Sequence, residues 1–211
     1  MTSNEKIKES QYNLNELKIV DKWSEVYLYK FNCFITSARS ILDHLLEDYN
    51  VKYNLQINLE SRNLKGEFHE KAKGNFNAEK FIKWYEEQYK KIIDEPSYGF
   101  LIKKRNIIVH RKTIKPSKFR IGMNFPQGLT ITSKNGEATD AVIPLTFDKK
   151  ITKVKITTTN KQTGQQKERE IEAEPVMEYF FDENPDQQID TICEILLEGI
   201  TKMVEDAHAN F

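Results

Sequence analysis

Only two cysteines, Cys33 and Cys193, occur in the 211 residues, each alone in a separate helical pattern. So few cannot build a disulfide framework or a zinc knuckle, and both are expected as small buried core residues. Long apolar stretches are missing as well. The apolar runs are a few residues long, whereas a bilayer-spanning helix needs roughly 20, so no membrane partner is expected. The first residues, Met1-Thr2-Ser3-Asn4-Glu5-Lys6, lead into a mixed polar pattern without the apolar core of a secretory signal, which points to a cytoplasmic protein. No group of Asp, Glu and His has the spacing of a catalytic metal site, so neither a metal nor another cofactor is expected. Net charge is also lacking, because 32 Lys and Arg face 32 Asp and Glu.

The zero hides a division. Residues 97–169 hold sixteen Lys and Arg against four Asp and Glu, a balance of +12 that leaves −12 for the remainder. Such a separation of charge draws a polyanion toward one part of a molecule. A hydrophobic content of 38% with 11% aromatic residues is enough for a folded core. The length suits a single domain, 1–211, with room for an insertion.

Spacing of the apolar residues divides the chain further. From Asn15 to Tyr49, Val26, Phe31, Phe34, Ile35, Ala38, Ile41, Leu42, Leu45, Leu46 and Tyr49 recur at steps of three and four, predicting a long amphipathic helix broken before Val26. Asn50 to Asn77 reads as a connection rich in turn residues. Asn77 opens the next helix, with Phe81, Ile82, Trp84, Tyr85, Tyr89, Ile92 and Ile93 as its buried stripe, and Pro96 ends it. Ser97 is expected to cap a short helix running to about Lys112. The period then falls to two. Phe119 to Phe125 and Leu129 to Thr132 alternate as hairpin strands do, and Val142 to Phe147, Lys153 to Thr159, Arg169 to Ala173 and Val176 to Phe181 extend the sheet. Asn184-Pro185 then signals a last helix carrying Ile189, Ile192, Cys193, Leu196, Ile200 and Val204. The reading is a mainly α, α+β chain. Residues 15–112 and 184–208 form a four- to five-helix bundle, and 117–182 form a small antiparallel β-rich insertion before the C-terminal helix.

In three places a histidine follows an arginine by five to seven residues: Arg39 to His44, Arg62 to His69, and Arg105 to His110. Chance alone supplies roughly 0.3 such pairs at spacings of four to six, so context must separate them. Arg62 to His69 runs through Gly66 and several charges. Arg39 has Asp43 four residues on, a ready ion-pair partner within a helix. Arg105-Asn106-Ile107-Ile108-Val109-His110 combines a helical pattern, apolar flanks and basic surroundings. With Leu101 at the origin of an ideal helix, Arg105 falls at about 40°, within the apolar arc, while Asn106 and His110 share its edge at about 140° and 180°. A charge in that arc must snorkel, pair with an acid such as Asp43, or face a cleft that receives an anion. Arginine, amide and imidazole on one rigid element are the groups needed to hold a phosphodiester and move its protons.

At these residues the sequence resembles the HEPN superfamily, helical-bundle proteins whose active members carry Arg, usually followed by Asn, Asp or His, and then His four to six residues after the Arg. Arg105-Asn106 and His110 fit that pattern, and Phe31 to Asp43 is similar to the first long helix of several such families. The likeness covers residues 20–112 and 184–208 and does not extend to the strands between them. It implies a metal-independent endoribonuclease that acts as a homodimer, with the motifs of two subunits facing each other across a composite cleft. His110 would serve as general acid or base, Arg105 would hold the scissile phosphate, and Asn106 would orient either of them. Lys104, Arg111, Lys112 and Arg39 are the candidate RNA-binding cations. Attack by the RNA 2′-hydroxyl would leave a cyclic phosphate and spare DNA. The resemblance also admits a role as a toxin or anti-phage effector, restrained by an antitoxin or another regulatory protein.

Two other readings start from the insertion. One is a non-catalytic HEPN-like module that binds a protein or nucleotide, docking through a free strand edge. The other treats the basic sheet, with Phe119, Phe125 and Phe147 among its lysines, as a surface for single-stranded nucleic acid.

Overall fold

The computed structural model describes residues 2–58, 63–110, 116, 118–124, 137–142, 152–160 and 163–211. For 105–110 and most strand positions the description is of the backbone. The chain divides into two compact units, Met1–Lys118 with Tyr179–Phe211, and Phe119–Glu178. The described residues are mainly helical, and no helix among them is long and apolar enough to cross a membrane.

The first unit opens with α1 (Ser3–Ile19). Thr2 and Glu5 form a reciprocal capping box at its start, which satisfies two backbone donors at the helix end. Asp21 accepts the Trp23 backbone N–H in the turn that follows, and the chain reverses into α2 (Glu25–Tyr53). The expected break before Val26 is therefore this turn. Val26 itself is not part of the core, being 47% exposed, while Phe31, Phe34, Ile35, Ala38, Ile41, Leu42, Leu45, Leu46 and Tyr49 are buried. α1 lies antiparallel along α2: Ser3 Oγ donates to Asp48 at 2.5 Å, Asn13 Nδ2 donates to Ser37 Oγ at 3.0 Å, and Lys30 pairs with Glu16 at 3.0 Å.

The connection after α2 holds a helix the apolar spacing did not reveal, α3 (Leu64–Lys71). It buries only Phe68, too little for a periodic stripe to be seen. α4 (Phe76–Asp94) begins ahead of Asn77, because the Asn75 side chain accepts the Ala78 N–H and takes the cap position. α5 (Gly99–His110) follows a corner at Pro96. The last helix, α6 (Ile189–Asn210), starts later than Asn184-Pro185 suggests. The Asn184 amide donates to the Ser97 carbonyl and to Gln187, so it ties two segments together and does not cap the helix.

The core of this unit is aromatic at its centre. Phe81 stacks on Tyr49 at 3.9 Å between centroids and touches Phe68, Tyr85 and Phe211. One buried polar cluster joins residues distant in the chain. Asp190 of α6 receives the Tyr27 hydroxyl at 2.8 Å and an ion pair from Lys22, and Tyr27 stacks on Tyr179 at 5.0 Å. Asp190→Ala is expected to cost about 2 kcal/mol in a denaturant titration. It strands a buried hydroxyl and a cation, and the full penalty of a broken buried pair is reduced because Lys22 and Asp190 remain 19% and 16% exposed.

The second unit is a sheet of β1 (Lys118–Asn124), β2 (Glu137–Val142), β3 (Thr152–Asn160) and β4 (Gln166–Phe180), in the order β1-β4-β3-β2. β2 with β3 and β3 with β4 are antiparallel. Arg169 to Ala173 and Val176 to Phe181, expected as two strands, are largely one. Among the described residues the pairing of β4 with β3 reaches from Gln166 to Ala173, short of Pro175. Leu129 to Thr132, Phe125 and Phe147 lie outside the described residues, as does most of Val142 to Phe147.

The register separates the two faces. Lys153 pairs with Glu172, Lys155 with Glu170 and Thr157 with Glu168, all on one face, and the three glutamates are exposed. Val154 opposite Ile171 and Thr152 opposite the buried Ala173 mark the other face. On the first face the register thus places two lysine positions of β3 directly across from glutamates of β4.

Candidate functional site

The Arg105 to His110 stretch forms the C-terminal half of α5, and the sequence fixes that helix at its other end. Glu95 takes the Ser97 hydroxyl at 2.8 Å, so Ser97 closes the corner and does not cap α5. Gly99 then passes so close to the end of α4 that an added Cβ would stand 2.1 Å from the Ile93 carbonyl oxygen and 2.7 Å from its carbon. Both are backbone atoms and cannot swing aside. Gly99→Ala is therefore expected to destabilise the protein by about 2 kcal/mol, lowering Tm by roughly 4–8 °C. A circular dichroism melt checks it.

Beyond the corner, Leu101 and Ile102 are buried, and α5 packs on α2 and α4. Phe100 meets Phe181 edge-on at 5.3 Å. Lys104 pairs with Glu183 at 2.8 Å and lies over the Phe181 ring, 5.3 Å from its centroid. Partial burial pushes the Glu183 carboxyl up, but the hydrogen bond and charge of Lys104 outweigh it and hold the group below its ordinary value. Lys104, a candidate RNA contact, is thus anchored in an ion pair. Arg105 and Asn106 follow one turn after the two buried residues, and His110 is the last described residue of the helix. The side chains of Arg105, Asn106 and His110 lie outside the described residues, as do Arg111 and Lys112.

The other two Arg and His pairs are accounted for differently. The Arg39 guanidinium donates to Asp43 at 2.8 Å, packs over the Tyr89 ring at 5.4 Å and is 16% exposed. Burial works against its charge, but Asp43, Tyr85 and Tyr89 hold its pKa above the ordinary value. His44 meets Glu47 at 2.6 Å. Both members of that pair are engaged with neighbours on their own helix. His69 is exposed on α3, and Arg62 lies outside the described residues. The fourth histidine, His208, sits 3.4 Å from Ser3 Oγ, beside the Asp48 that holds the start of α1.

Sequence reading missed the joining of Lys22, Tyr27 and Asp190, since no motif spans the 163 residues from Tyr27 to Asp190. It also placed Cys33 in the core. Cys193 is buried and its thiol pushed up by burial, whereas Cys33 is exposed. Among the described residues no three His, Cys, Asp or Glu side chains gather to hold a metal ion. Compared with protein-family models, curated proteins and solved structures, the chain matches none of them.

Proposed function

We propose that the protein is a HEPN-type endoribonuclease in which α5 presents Arg105, Asn106 and His110 to the RNA backbone. The reading is carried by one observation. An unbroken helix, fixed at its start by Gly99 and by the pair of Lys104 with Glu183, runs through all three residues. The engagement of Arg39 and His44 with Asp43 and Glu47 adds support by leaving α5 as the better candidate.

In this scheme His110 removes the proton from a 2′-hydroxyl, or returns one to the departing 5′-oxygen, because imidazole titrates near neutrality. Arg105 binds the phosphate through its paired N–H groups and stabilises the charge that grows in the transition state. Asn106 orients the ring or the phosphate. The products are a cyclic phosphate and a 5′-hydroxyl end, and DNA is left intact for want of the nucleophile. A second copy facing the first, and a toxin or anti-phage role under an antitoxin or other regulator, belong to the same proposal. The test is incubation of the purified protein with total RNA and with transfer RNA, beside Arg105→Ala and His110→Ala. Equal activity in all three would place the chemistry elsewhere.

The second reading is a non-catalytic module docking through its sheet, and one observation favours it. β2 stands last in the strand order and, among the described residues, pairs on one side only. An open edge accepts a further strand. Absence of any RNA cleavage, with a stoichiometric complex that Thr139→Pro disrupts, would favour this reading.

A further inference from the structure

The antiparallel register sorts the charges of the second unit by face, because directly paired residues share a face and neighbours along a strand alternate. One face carries the positions of Lys153 and Lys155 together with Asp140, Glu168, Glu170 and Glu172. The other carries Lys167 and Arg169, and among the described pairs of β2, β3 and β4 its one acidic position is Glu137. What stands across from each cation differs as well. Lys153 is placed directly opposite Glu172 and Lys155 opposite Glu170, an arrangement in which the two signs attract each other across the ladder. Lys167 is placed opposite Thr158 and Arg169 opposite Ile156. On its other side β4 neighbours β1, Lys118-Phe119-Arg120-Ile121-Gly122-Met123-Asn124, which brings two cations and no carboxylate. Among the described residues, then, no acid is set directly across from Lys167 or Arg169 on either side. Glu137 is two strands away, in the row of Asn160.

We propose that Lys167 and Arg169, with Thr158 and Thr139 in the row of Lys167, form a binding site for the phosphodiester backbone of a single-stranded nucleic acid. Cations and hydroxyls are the groups that contact phosphate oxygens, and a polyanion is drawn to the cations that no carboxylate answers. Lys167 and Arg169 stand about 6.8 Å apart along β4, at ~3.4 Å per residue, a spacing that suits successive phosphates of one strand better than a single small anion. The end of the sheet that carries them is at the surface, since Thr163, Gly164, Gln165, Gln166 and Glu168 are all exposed. The lysines of β3 are left out of the site by the same reasoning. A phosphate that approached Lys153 or Lys155 would meet a glutamate position beside each of them. The site is separate from Arg105, Asn106 and His110, and it stands whether or not the protein cleaves RNA.

The full chain is tested by fluorescence anisotropy with two labelled single strands of one sequence, DNA and 2′-O-methyl RNA. Neither has a free 2′-hydroxyl, so neither is cut by the chemistry proposed above and binding is read alone. Wild type should bind the two within about threefold of each other, because phosphate contacts do not read the base. Lys167→Gln with Arg169→Gln should weaken both at least about tenfold. It should also reduce the slope of log affinity against log salt by about 1.4, at ~0.7 for each phosphate contact to a single strand. Each single change should give about half that loss of slope. Lys153→Gln with Lys155→Gln removes the same charge from the opposite face and should alter affinity less than about threefold. Circular dichroism of every variant confirms that it is folded. Wild type that holds neither strand overturns the proposal, and so does an equal loss in the two pairs, which would make net charge the cause. Binding that Arg105→Ala abolishes and the Lys167 and Arg169 changes leave intact overturns it too, by placing the affinity at α5. Cleavage of unmodified RNA by the same variants reports separately on the nuclease proposal.

Discussion

Raising the pH from 10 to 12 is expected to unfold the helical unit steeply, with tyrosinate absorbance and loss of helical circular dichroism appearing together. Tyr27, Tyr49 and Tyr85 are each no more than 2% exposed. Each hydroxyl donates inside the core, Tyr27 to Asp190, Tyr49 to the Ala207 carbonyl and Tyr85 to the Leu42 carbonyl. Burial pushes the Tyr49 hydroxyl up to about 12, helped by Tyr53 and Asp48. Burial also raises Tyr27, where the Asp190 carboxylate adds to the effect, and it raises Tyr85 despite the opposing charge of Arg39. An unfolded tyrosine loses its proton near pH 10. Above that pH the unfolded chain binds fewer protons than the folded one, so stability falls as pH rises. At about 1.4 kcal/mol per proton and pH unit, three tyrosines remove roughly 4 kcal/mol for each unit. A domain stable by about 5–15 kcal/mol cannot withstand that for long. A simple titration centred near pH 10 with the helices intact would mean that these hydroxyls are not enclosed.

Arg105→Ala and His110→Ala are expected to lower RNA cleavage by about 10²–10⁴-fold each, the range over which general acid–base and oxyanion-stabilising groups act. Neither should move the melting temperature much, because the start of α5 is held by Gly99, Leu101, Ile102 and Lys104 and not by these residues. The control is Arg39→Ala. Its guanidinium is tied to Asp43 and packed on Tyr89, so its removal should lower stability while purified, folded protein still cuts. Loss of cleavage only in Arg39→Ala, with Arg105→Ala active, would move the chemistry to α2. Lys104→Ala gives an intermediate reading, since it frees Glu183 and loosens the anchor of α5.

The amphipathic stripes of α2, α4 and α6 were legible because each buries a continuous row at helical spacing, and burial is what selects apolar residues. α3 was not, for it contributes only Phe68 to the core. Of the connection that precedes it, residues 59–62 lie outside the described residues. Of the candidate site, the sequence supplied the three residues and their helix, together with the local pairing of Arg39 with Asp43, which follows from a four-residue step. It could not supply Glu183 as the partner of Lys104, because 79 residues separate them and nothing in either stretch marks the other.

What the sequence determined by itself is therefore what is local: helix content, the alternation of the strands, the i to i+4 ion pair on α2, and the clustering of Arg105, Asn106 and His110 within one and a half turns. Tertiary structure alone decided what depends on elements distant in the chain. It determined that Cys33 faces outward while Cys193 is enclosed, that Asp190 collects Lys22 and Tyr27, and that the β3 and β4 register sets glutamates across from lysines. The reason is physical. Period and propensity act within a turn or a strand, whereas desolvation and pairing depend on which surface arrives opposite, and that is fixed only once the helices and strands have packed.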